Sequence, residues 1–284
     1  MYADYHLHTA YSDDSVYPME DVILDSIALG LEEICFTDHV DYGIKTDWDN
    51  PGGIACRRGG PGETERIPLT NVDYPRYVAE IQELKEKYKD QIQIRMGLEF
   101  GMQVHTIPQY EDLFARYPFD FILLSVHQVD DREFWTQEFQ QGRTQEEYIQ
   151  RYYQELLELV RQYHHYSVLA HLDLINRYDP AGPYPFEKIK PVLTEILKTV
   201  ITDGKGIEVN TSSHRYGLAD LTPSRQILSL YRDLGGTILT IGSDSHKKEH
   251  LGVYIRETMK ELSEMGFHRH CTFVGMKPIF HDLG

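Results

Sequence analysis

The sequence predicts an α/β protein whose parallel strands form one sheet, either closed as a barrel or left open. Short apolar segments alternate seven times with longer amphipathic segments along the 284 residues. Segments such as FDFILLSV lack polar alternation, which is typical of parallel strands buried on both faces. Because no stretch resembles a linker or an internal repeat, we expect a single domain over residues 1–284.

The predicted strands are short and rich in β-branched and aromatic residues. They are residues 2–6, 33–37, 92–99, 119–126, 167–171, 206–211 and 237–243. The predicted helices have apolar residues at helical spacing, and they are residues 18–29, 74–89, 107–116, 144–164, 186–202, 224–234 and 250–265. Gly30 closes the first helix, and Thr222 is predicted to cap the sixth, with Pro223 at its first position.

Composition excludes several classes of function. The chain has 28 Lys and Arg against 45 Asp and Glu, a net charge of −17, which argues against a nucleic-acid partner because such partners need a basic surface. No apolar run approaches the ~18 residues of a membrane span, and the N-terminus lacks a signal-peptide pattern. The three cysteines have no CxxC spacing, so we expect a cytoplasmic protein; the oligomeric state stays open.

Six of the seven predicted strands end in His, Asp or Glu. The C-terminal ends of parallel strands share one face, where the active sites of such proteins lie. His6 and His8 are two residues apart on an extended strand, so both can bind one cation, and Asp244 and His246 repeat this spacing. A lone histidine is more often an ordinary core residue, but the ordered set predicts a metal centre. Its candidate ligands are His6, His8, His39, Glu99, His127, His171, Asp244 and His246.

The ordered motifs HLHTAYSDDS, FTDHVD, GLEF, SVHQ, AHLDLINRY and GSDSH resemble those of the polymerase-and-histidinol-phosphatase (PHP) superfamily. The runs IEVNTSSHR and TPSRQILSLYRDLGG resemble its histidinol-phosphate phosphatase branch. The resemblance covers residues 2 to about 260. It implies a distorted seven-stranded (β/α) barrel that holds up to three divalent ions at the strand C-terminal face.

The resemblance also implies three ligand sets, of which the first two share Glu99. They are His6, His8, Glu99 and Asp244 for the first ion, Glu99, His127 and His171 for the second, and His39, His246 and an acid of the SDDS turn for the third. That acid is Asp13 or Asp14, and the spacing from His8 favours Asp14. Two to three ions of Zn, Mn or Fe are expected with such mixed nitrogen and oxygen ligands.

The implied reaction is hydrolysis of a small phosphate ester. A water bridging two ions would lose its proton near neutral pH and attack phosphorus, with Glu99, Asp244 and His246 as the catalytic residues. Arg177 and Arg215 follow the fifth and sixth strands, where a guanidinium suits phosphate oxygens. The alternative is that both are surface arginines paired with acids.

The branch-level resemblance implies L-histidinol phosphate as the substrate, in histidine biosynthesis. His214, just after the sixth strand, is a further candidate for substrate contact. Acids near the pocket mouth, such as Asp41, Asp173 or Asp179, would bind the cationic end of the substrate. Three alternatives remain: a PHP phosphoesterase acting on another ester or nucleotide, an amidohydrolase-type barrel, and a non-catalytic metal-binding module. The amidohydrolase pattern lacks a histidine paired with the final Asp, which His246 supplies here.

One long irregular segment, residues 41–73, interrupts the alternation of strands and helices. It carries Lys45, Arg57, Arg58 and Arg66, which are basic residues in an acidic protein. A loop of this length is either a lid over the site or a mobile solvated loop, and the sequence does not distinguish the two.

Overall fold

The computed structural model describes residues 1–50, 55–58 and 66–283. Its strands are β1 (Ala3–Leu7), β2 (Glu33–Phe36), β3 (His39–Val40), β4 (Ala55–Arg58), β5 (Arg66–Leu69), β6 (Gln93–Gly101), β7 (Phe121–Ser125), β8 (Gln128–Val129), β9 (Arg132–Glu133), β10 (Val168–Leu169), β11 (Gly206–Asn210), β12 (Leu239–Gly242), β13 (Arg269–Val274) and β14 (Lys277–Asp282). Its helices are α1 (Met19–Leu29), α2 (Tyr74–Lys87), α3 (Ile107–Arg116), α4 (Gln145–Gln162), α5 (Phe186–Thr202), α6 (Ser212–Arg215), α7 (Arg225–Asp233) and α8 (Ile255–Glu264).

The main sheet is parallel, in the order β1-β2-β6-β7-β10-β11-β12. Strand β3 also pairs with β6, with His39 opposite Glu99, so β2 and β3 form one barrel strand that is interrupted at residues 37–38. At this interruption the Asp38 carboxylate accepts hydrogen bonds from Thr9 N (2.7 Å) and Ser12 Oγ (2.7 Å). The break in the strand therefore holds the turn that follows β1.

Strand β12 returns to β1 and nearly closes the barrel. Ser245 N donates to the carbonyl of His6 (3.2 Å), and His8 N donates to the carbonyl of Ser245 (2.8 Å). The buried carboxylate of Asp4 accepts from Ser243 N (2.9 Å) and from Gly252 N (3.1 Å). The predicted seven-stranded (β/α) barrel is confirmed.

A register shift in β1, between Asp4 and Leu7, sets which residues face the barrel interior. Tyr5 packs in the interior apolar cluster, and Leu7 packs in the layer between strands and helices. Simple alternation would send the residue after Tyr5 outward, but the irregularity turns His6 inward, and His8 follows it at a spacing of two.

The helices pack around the barrel through an apolar layer. Residues such as Leu98, Phe100 and Ile122 point outward from the strands into this layer. Gly30 ends α1 with φ +74°, as predicted. The predicted cap of the sixth helix was wrong: Ser224 is the N-cap of α7, its hydroxyl accepting from Ile227 N (3.4 Å), so the helix begins after Pro223.

An antiparallel hairpin, β13–β14, closes the N-terminal end of the barrel and lies beyond the last predicted helix. Cys271 and Phe273 of this hairpin join the interior cluster with Tyr5 and Phe121. Phe273 N donates to Tyr5 Oη (2.7 Å), and the rings of Phe121 and Phe273 lie 5.0 Å apart. The hairpin therefore seals the end of the barrel away from the strand C-termini.

Part of the segment predicted as a long irregular loop is regular, because β4 and β5 pair antiparallel. Residues 51–54 and 59–65 lie outside the described residues, as do the side chains of Arg57, Arg58 and Arg66, so the lid interpretation stays a prediction. Over the described ranges, none of the helices combines the length and the apolar character needed to cross a bilayer.

Candidate metal centre

Glu99, near the end of β6, is fully buried and lies at the centre of a group of histidines. Its Oε1 lies 3.0 Å from Nε2 of His127 and 2.7 Å from Nε2 of His171. Its Oε2 lies 3.1 Å from Nε2 of His6 and 3.0 Å from Nδ1 of His39. One carboxylate therefore faces histidines from four other barrel strands or their C-terminal ends.

A second group joins the first and last strands of the barrel. Nε2 of His8 lies 3.4 Å from Oε2 of Glu99 and 3.6 Å from Oδ1 of Asp244. Nε2 of His6 lies 3.8 Å from the same Asp244 oxygen. The four residues predicted for the first ion thus lie together.

A third group includes the turn after β1. Oδ2 of Asp14 lies 3.1 Å from Nε2 of His246 and 3.5 Å from Nε2 of His39. Asp13 instead forms an ion pair with Lys45, at 2.6 Å. Of the two acids that the sequence offered for the third ion, Asp14 is the one beside these histidines.

The arrangement fits metal ions. Ligand atoms ~2.1 Å from a zinc ion at the tetrahedral angle lie about 3.4 Å from one another, similar to the spacings above. Nε2 of His8 and Nδ1 of His39 are buried, and they face Oε2 of Glu99 at 3.4 Å and 3.0 Å without the geometry of a hydrogen bond. Unpaired buried nitrogens are costly unless another partner, such as an ion, satisfies them. Among the described residues, four groups of three ligand-type residues have ligand atoms within 4.8 Å of one another, and together they contain eight of the nine predicted ligands, all except Asp14.

The protonation states of His8 and Glu99 suit metal binding. At His6, His39, His127 and His246, burial lowers the pKa but facing acids raise it above the usual value, so an ion would displace a proton there. Burial lowers the pKa of His8 well below its usual value, and neighbouring His246 lowers it further. Burial by itself would raise the pKa of Glu99, but His6 and the other facing histidines hold it well below the ordinary range. Neutral imidazole and ionised carboxylate are the forms that bind cations.

Glu208, in β11, supports two ligands and was missed in the sequence. Its Oε1 lies 2.5 Å from Nδ1 of His6, and its Oε2 accepts from the backbone N–H of His171 (2.9 Å). A carboxylate that binds one ring nitrogen directs the other nitrogen of the histidine toward the ion. The signal in the sequence was an acid between apolar residues of a buried strand, GIEVN.

Asp41 supports His127 in the same way, with its Oδ1 2.7 Å from Nδ1 of the histidine. The buried amine of Lys45 lies 2.9 Å from Asp41 and 2.6 Å from Asp13, so it connects this support to the turn that carries Asp14. A Cβ at Gly101 would lie 1.8 Å from Oδ1 of Asp41. The absence of a side chain at this position of β6 therefore allows the carboxylate to approach.

Arg177, in the 3-10 helix Leu174–Tyr178 after β10, lies at the edge of the metal centre. Its guanidinium donates to Ser212 Oγ (2.6 Å), lies 3.5 Å from Asp244 and stacks on the Tyr216 ring at 4.1 Å. Its Nε is buried and has no hydrogen-bond partner among the described residues. The side chain is held in place while retaining a donor.

The other two predicted substrate contacts have different surroundings. Arg215 donates to the backbone carbonyls of Ser243 (3.1 Å) and Asp244 (2.9 Å). His214 is exposed and stacks on Tyr254, with ring centroids 4.2 Å apart. Neither lines the cavity described next. Their contact with substrate stays a prediction, and the geometry of Arg215 favours positioning of Asp244.

A cavity of about 140 Å³ leads from the metal centre to the surface. Its inner part is lined by ligand-type residues and by Arg177. Its remaining lining includes Leu69, Glu133, Trp135 and Tyr178. The cavity combines a cation-binding inner end with an outer wall that is partly aromatic.

The acids predicted to bind the cationic end of the substrate are otherwise engaged. Asp41 pairs with Lys45 and His127, as described above. Asp173 is buried, accepts from Ser224 N (3.0 Å) and does not line the cavity. Asp179 accepts from Tyr148 Oη (2.6 Å) and is also absent from the lining.

Comparison with known proteins places this architecture in a family. The PHP domain family profile matches residues 4–212. The histidinol-phosphatase of Lactococcus lactis subsp. lactis is 32% identical over 286 residues, which cover 96% of this chain and 95% of that protein. The probable histidinol-phosphatase of Thermotoga maritima is 28% identical and covers 93% of this chain and 92% of its own.

Solved structures give the same result. The crystal structure of histidinol phosphate phosphatase from Lactococcus lactis, complexed with zinc, L-histidinol and phosphate, has a TM-score of 0.81 and 31% identity, with 98% of each chain covered. The putative histidinol phosphatase of Listeria monocytogenes, at 19% identity, shares the fold with a TM-score of 0.67, covering 89% of this chain and 98% of its own. On the profile match and the 32% identity, this chain belongs to the PHP domain family.

Proposed function

We propose that this protein is a metal-dependent phosphatase that hydrolyses L-histidinol phosphate to L-histidinol and phosphate in histidine biosynthesis. The observation that carries the proposal is the set of ligand-type side chains around Glu99. It lies in a chain that matches the Lactococcus lactis histidinol-phosphatase over 96% of its length. Because the match extends through the whole barrel, the same reaction is the simplest assignment.

Two to three divalent ions complete the proposed site. Zinc is the first choice, since the Lactococcus lactis structure is complexed with zinc, although manganese and iron also accept mixed nitrogen and oxygen ligands. Divalent ions supply Lewis-acid activation of a phosphate ester and of water at neutral pH. The proposed ligands are His6, His8, Asp14, His39, Glu99, His127, His171, Asp244 and His246.

The protein's own groups bind and orient the ester. Glu99, Asp244 and His246 line the cavity and are the proposed catalytic residues, since they would hold the ions against the scissile phosphate. We propose that the Arg177 guanidinium donates to phosphate oxygens, and its contacts with Ser212 and Tyr216 at the cavity wall support this role.

The net charge and the cysteines of the chain are consistent with a small substrate and a cytoplasmic location. The net charge of −17 disfavours nucleic acids and other strongly anionic substrates, whereas the local positive field of the bound ions would attract a single phosphate group. Cys35 and Cys271 are buried free thiols, as expected in a reducing compartment.

The test is a comparison of two esters on zinc-reconstituted enzyme, with released phosphate measured. We expect kcat/KM for L-histidinol phosphate to exceed that for 4-nitrophenyl phosphate by at least about tenfold. A metal chelator should abolish both activities, and added zinc should restore them. Equal kcat/KM on the two esters would remove the histidinol assignment, and activity that survives complete metal removal would remove the metal-dependent mechanism.

A further inference from the structure

A chain of hydrogen bonds runs from Arg177, at the wall of the cavity, back to a carboxylate that supports two proposed metal ligands. Nη2 of Arg177 donates to Ser212 Oγ (2.6 Å), and the Ser212 hydroxyl donates to Oδ1 of Asn210. Nδ2 of Asn210 donates to Oε2 of Glu208 (3.3 Å), which also accepts from the backbone N–H of His171 (2.9 Å). Each side chain of the chain therefore donates toward Glu208, and aligned hydrogen bonds of this kind strengthen one another in a buried site.

Ser212 is held firmly at the middle of this chain. It is fully buried, and it is the first residue of helix α6, two residues after β11 ends. Its backbone N–H also donates to Oδ1 of Asn210 (3.0 Å), so both of its donors share one acceptor. Asn210 is itself fully buried, and its backbone N–H donates to the carbonyl of Thr222 (2.7 Å). The hydroxyl that accepts from Arg177 is therefore carried by a packed strand end.

A second partner competes for the same guanidinium. Both terminal nitrogens of Arg177 lie 3.5 Å from Oδ2 of Asp244, at the outer limit of a hydrogen bond. The other oxygen of Asp244 faces the proposed metal ligands His6 and His8. Without the shorter bond to Ser212, attraction between opposite charges would draw the guanidinium onto this carboxylate. It would then compete with an ion for Asp244 and leave the position from which it reaches a phosphate.

We propose that Ser212 is a positioning residue: its hydroxyl, oriented by Asn210, holds Arg177 at the phosphate end of the cavity and away from the metal ligand Asp244. This inference rests on the proposed function, because it takes Arg177 to donate to the phosphate of the ester. Ser212 does not line the cavity, so it acts through the arginine rather than by contact with the substrate. Its effect should therefore be the same for different phosphate monoesters.

The next residue along the helix offers a matched control. Ser213 also lies on α6 and is 1% exposed. Its Oγ has no hydrogen-bond partner within the described ranges. Replacing either serine with alanine removes one buried hydroxyl from the same helix, but only Ser212→Ala removes a contact of Arg177.

The test uses zinc-reconstituted parent and variant enzymes. It measures kcat/KM for L-histidinol phosphate and for 4-nitrophenyl phosphate, the inhibition constant of inorganic phosphate, and zinc content. We expect Ser212→Ala to lower kcat/KM about tenfold, by the same factor on both esters, because a misplaced binding group loses contacts with the transition state. The inhibition constant of phosphate should rise by a similar factor, and zinc content should match the parent. Ser213→Ala should keep all the parent values.

A double-mutant cycle distinguishes positioning of Arg177 from a general structural effect. In the Arg177→Met background, Ser212→Ala should change kcat/KM by less than about twofold, since the guanidinium that it positions is gone. A fall in that background as large as the fall in the parent would overturn the proposal. Parent kinetics in Ser212→Ala or in Arg177→Met, a loss of zinc in Ser212→Ala, or an equal fall in Ser213→Ala would also overturn it.

Failure of the proposed function would be recognised separately. A parent that cleaves both esters equally well would remove the histidinol assignment, and the cycle on 4-nitrophenyl phosphate would still decide the role of Ser212. A parent that is inactive on both esters would remove the proposed function and the role of Ser212 together.

Discussion

The two ends of the barrel interior are built from the same strands but differ in chemistry. At the N-terminal end, Tyr5 and Phe121 pack together beneath the β13–β14 hairpin in an apolar cluster, and the Tyr5 hydroxyl contacts the carboxylate of Glu33. At the C-terminal end, His6 and His171 face the carboxylate of Glu99. On β1 the change from one chemistry to the other takes a single residue, at the register shift that follows Tyr5.

This difference separates stability from function. The closed end contributes apolar packing, whose contribution to the free energy of folding scales with buried area and is insensitive to ions. The open end concentrates buried ionisable groups, which are costly unless an ion or a partner satisfies them. Substitutions at the two ends should therefore have different signatures in activity, metal content and melting temperature.

The largest effect is expected from Glu99→Gln, which removes the charge shared by two ligand groups. We expect kcat/KM for L-histidinol phosphate to fall about 1000-fold, because metal ions contribute several kcal/mol to such reactions. Zinc content by elemental analysis should fall as well. A Glu99→Gln protein with the parent's zinc content and rate would contradict the shared-carboxylate arrangement.

The next largest effects are expected at two arginines for which the sequence predicted the same role, and they should differ in their effect on zinc content. Arg177→Met should lower kcat/KM about 10–100-fold with zinc content unchanged, as expected for one lost charge-assisted contact of ~1.5–3 kcal/mol. Arg215→Met should instead reduce zinc content, because Arg215 holds the carbonyls of Ser243 and Asp244. If both variants lower kcat/KM equally and retain zinc, Arg215 contacts substrate after all.

A smaller effect is expected at Asp41, which contacts a proposed metal ligand rather than an ion. Asp41→Asn removes the charge that faces Nδ1 of His127, and such changes lower metal affinity about 10–100-fold. Zinc affinity is measured by competition with a chelator, with Asp112→Asn on the exposed face of α3 as the control. An affinity equal to that of the parent would mean that Asp41 only pairs with Lys45.

The smallest effect on activity is expected at the closed end. Phe273→Ala should lower the free energy of unfolding by about 3–5 kcal/mol, since it removes a buried ring from the interior cluster. At a temperature where the protein stays folded, kcat/KM and zinc content should match the parent. A variant that loses zinc while still folded would show that the two ends are coupled.

The sequence predicted the seven strands and the ligand-type residues at their ends because both leave local signals. Periodicity marks the strands, and a histidine or acid directly after an apolar run marks its C-terminal end, as for Glu99 and His171. The supports were harder to predict, because Glu208 and Asp41 are defined by partners far along the chain. The role of Gly101 likewise follows only from the distance to Asp41.

The same reasoning explains why two acids predicted to bind the cationic end of the substrate do not line the cavity, and why one helix cap was misplaced. Asp173 and Asp179 were chosen by their distance from a strand end, but hydrogen bonds to Ser224 and Tyr148 occupy them. The cap of α7 was misplaced because Thr222-Pro223 resembles a cap sequence, whereas Ser224 supplies the hydroxyl. Local patterns identify residue types, and only packing determines which partner each residue obtains.

The closure of the barrel has a consequence for biogenesis. Ser243 and Asp4, which join the last barrel strand, β12, to the first, β1, are 239 residues apart in sequence. A ribosome releases the N-terminal strand first, and contacts between distant segments form slowly. His6 and His8 therefore emerge long before Asp244, and a nascent chain cannot assemble the ligand set that unites them. Cofactor insertion should accordingly be a late event, which follows translation of nearly the whole barrel rather than guiding it.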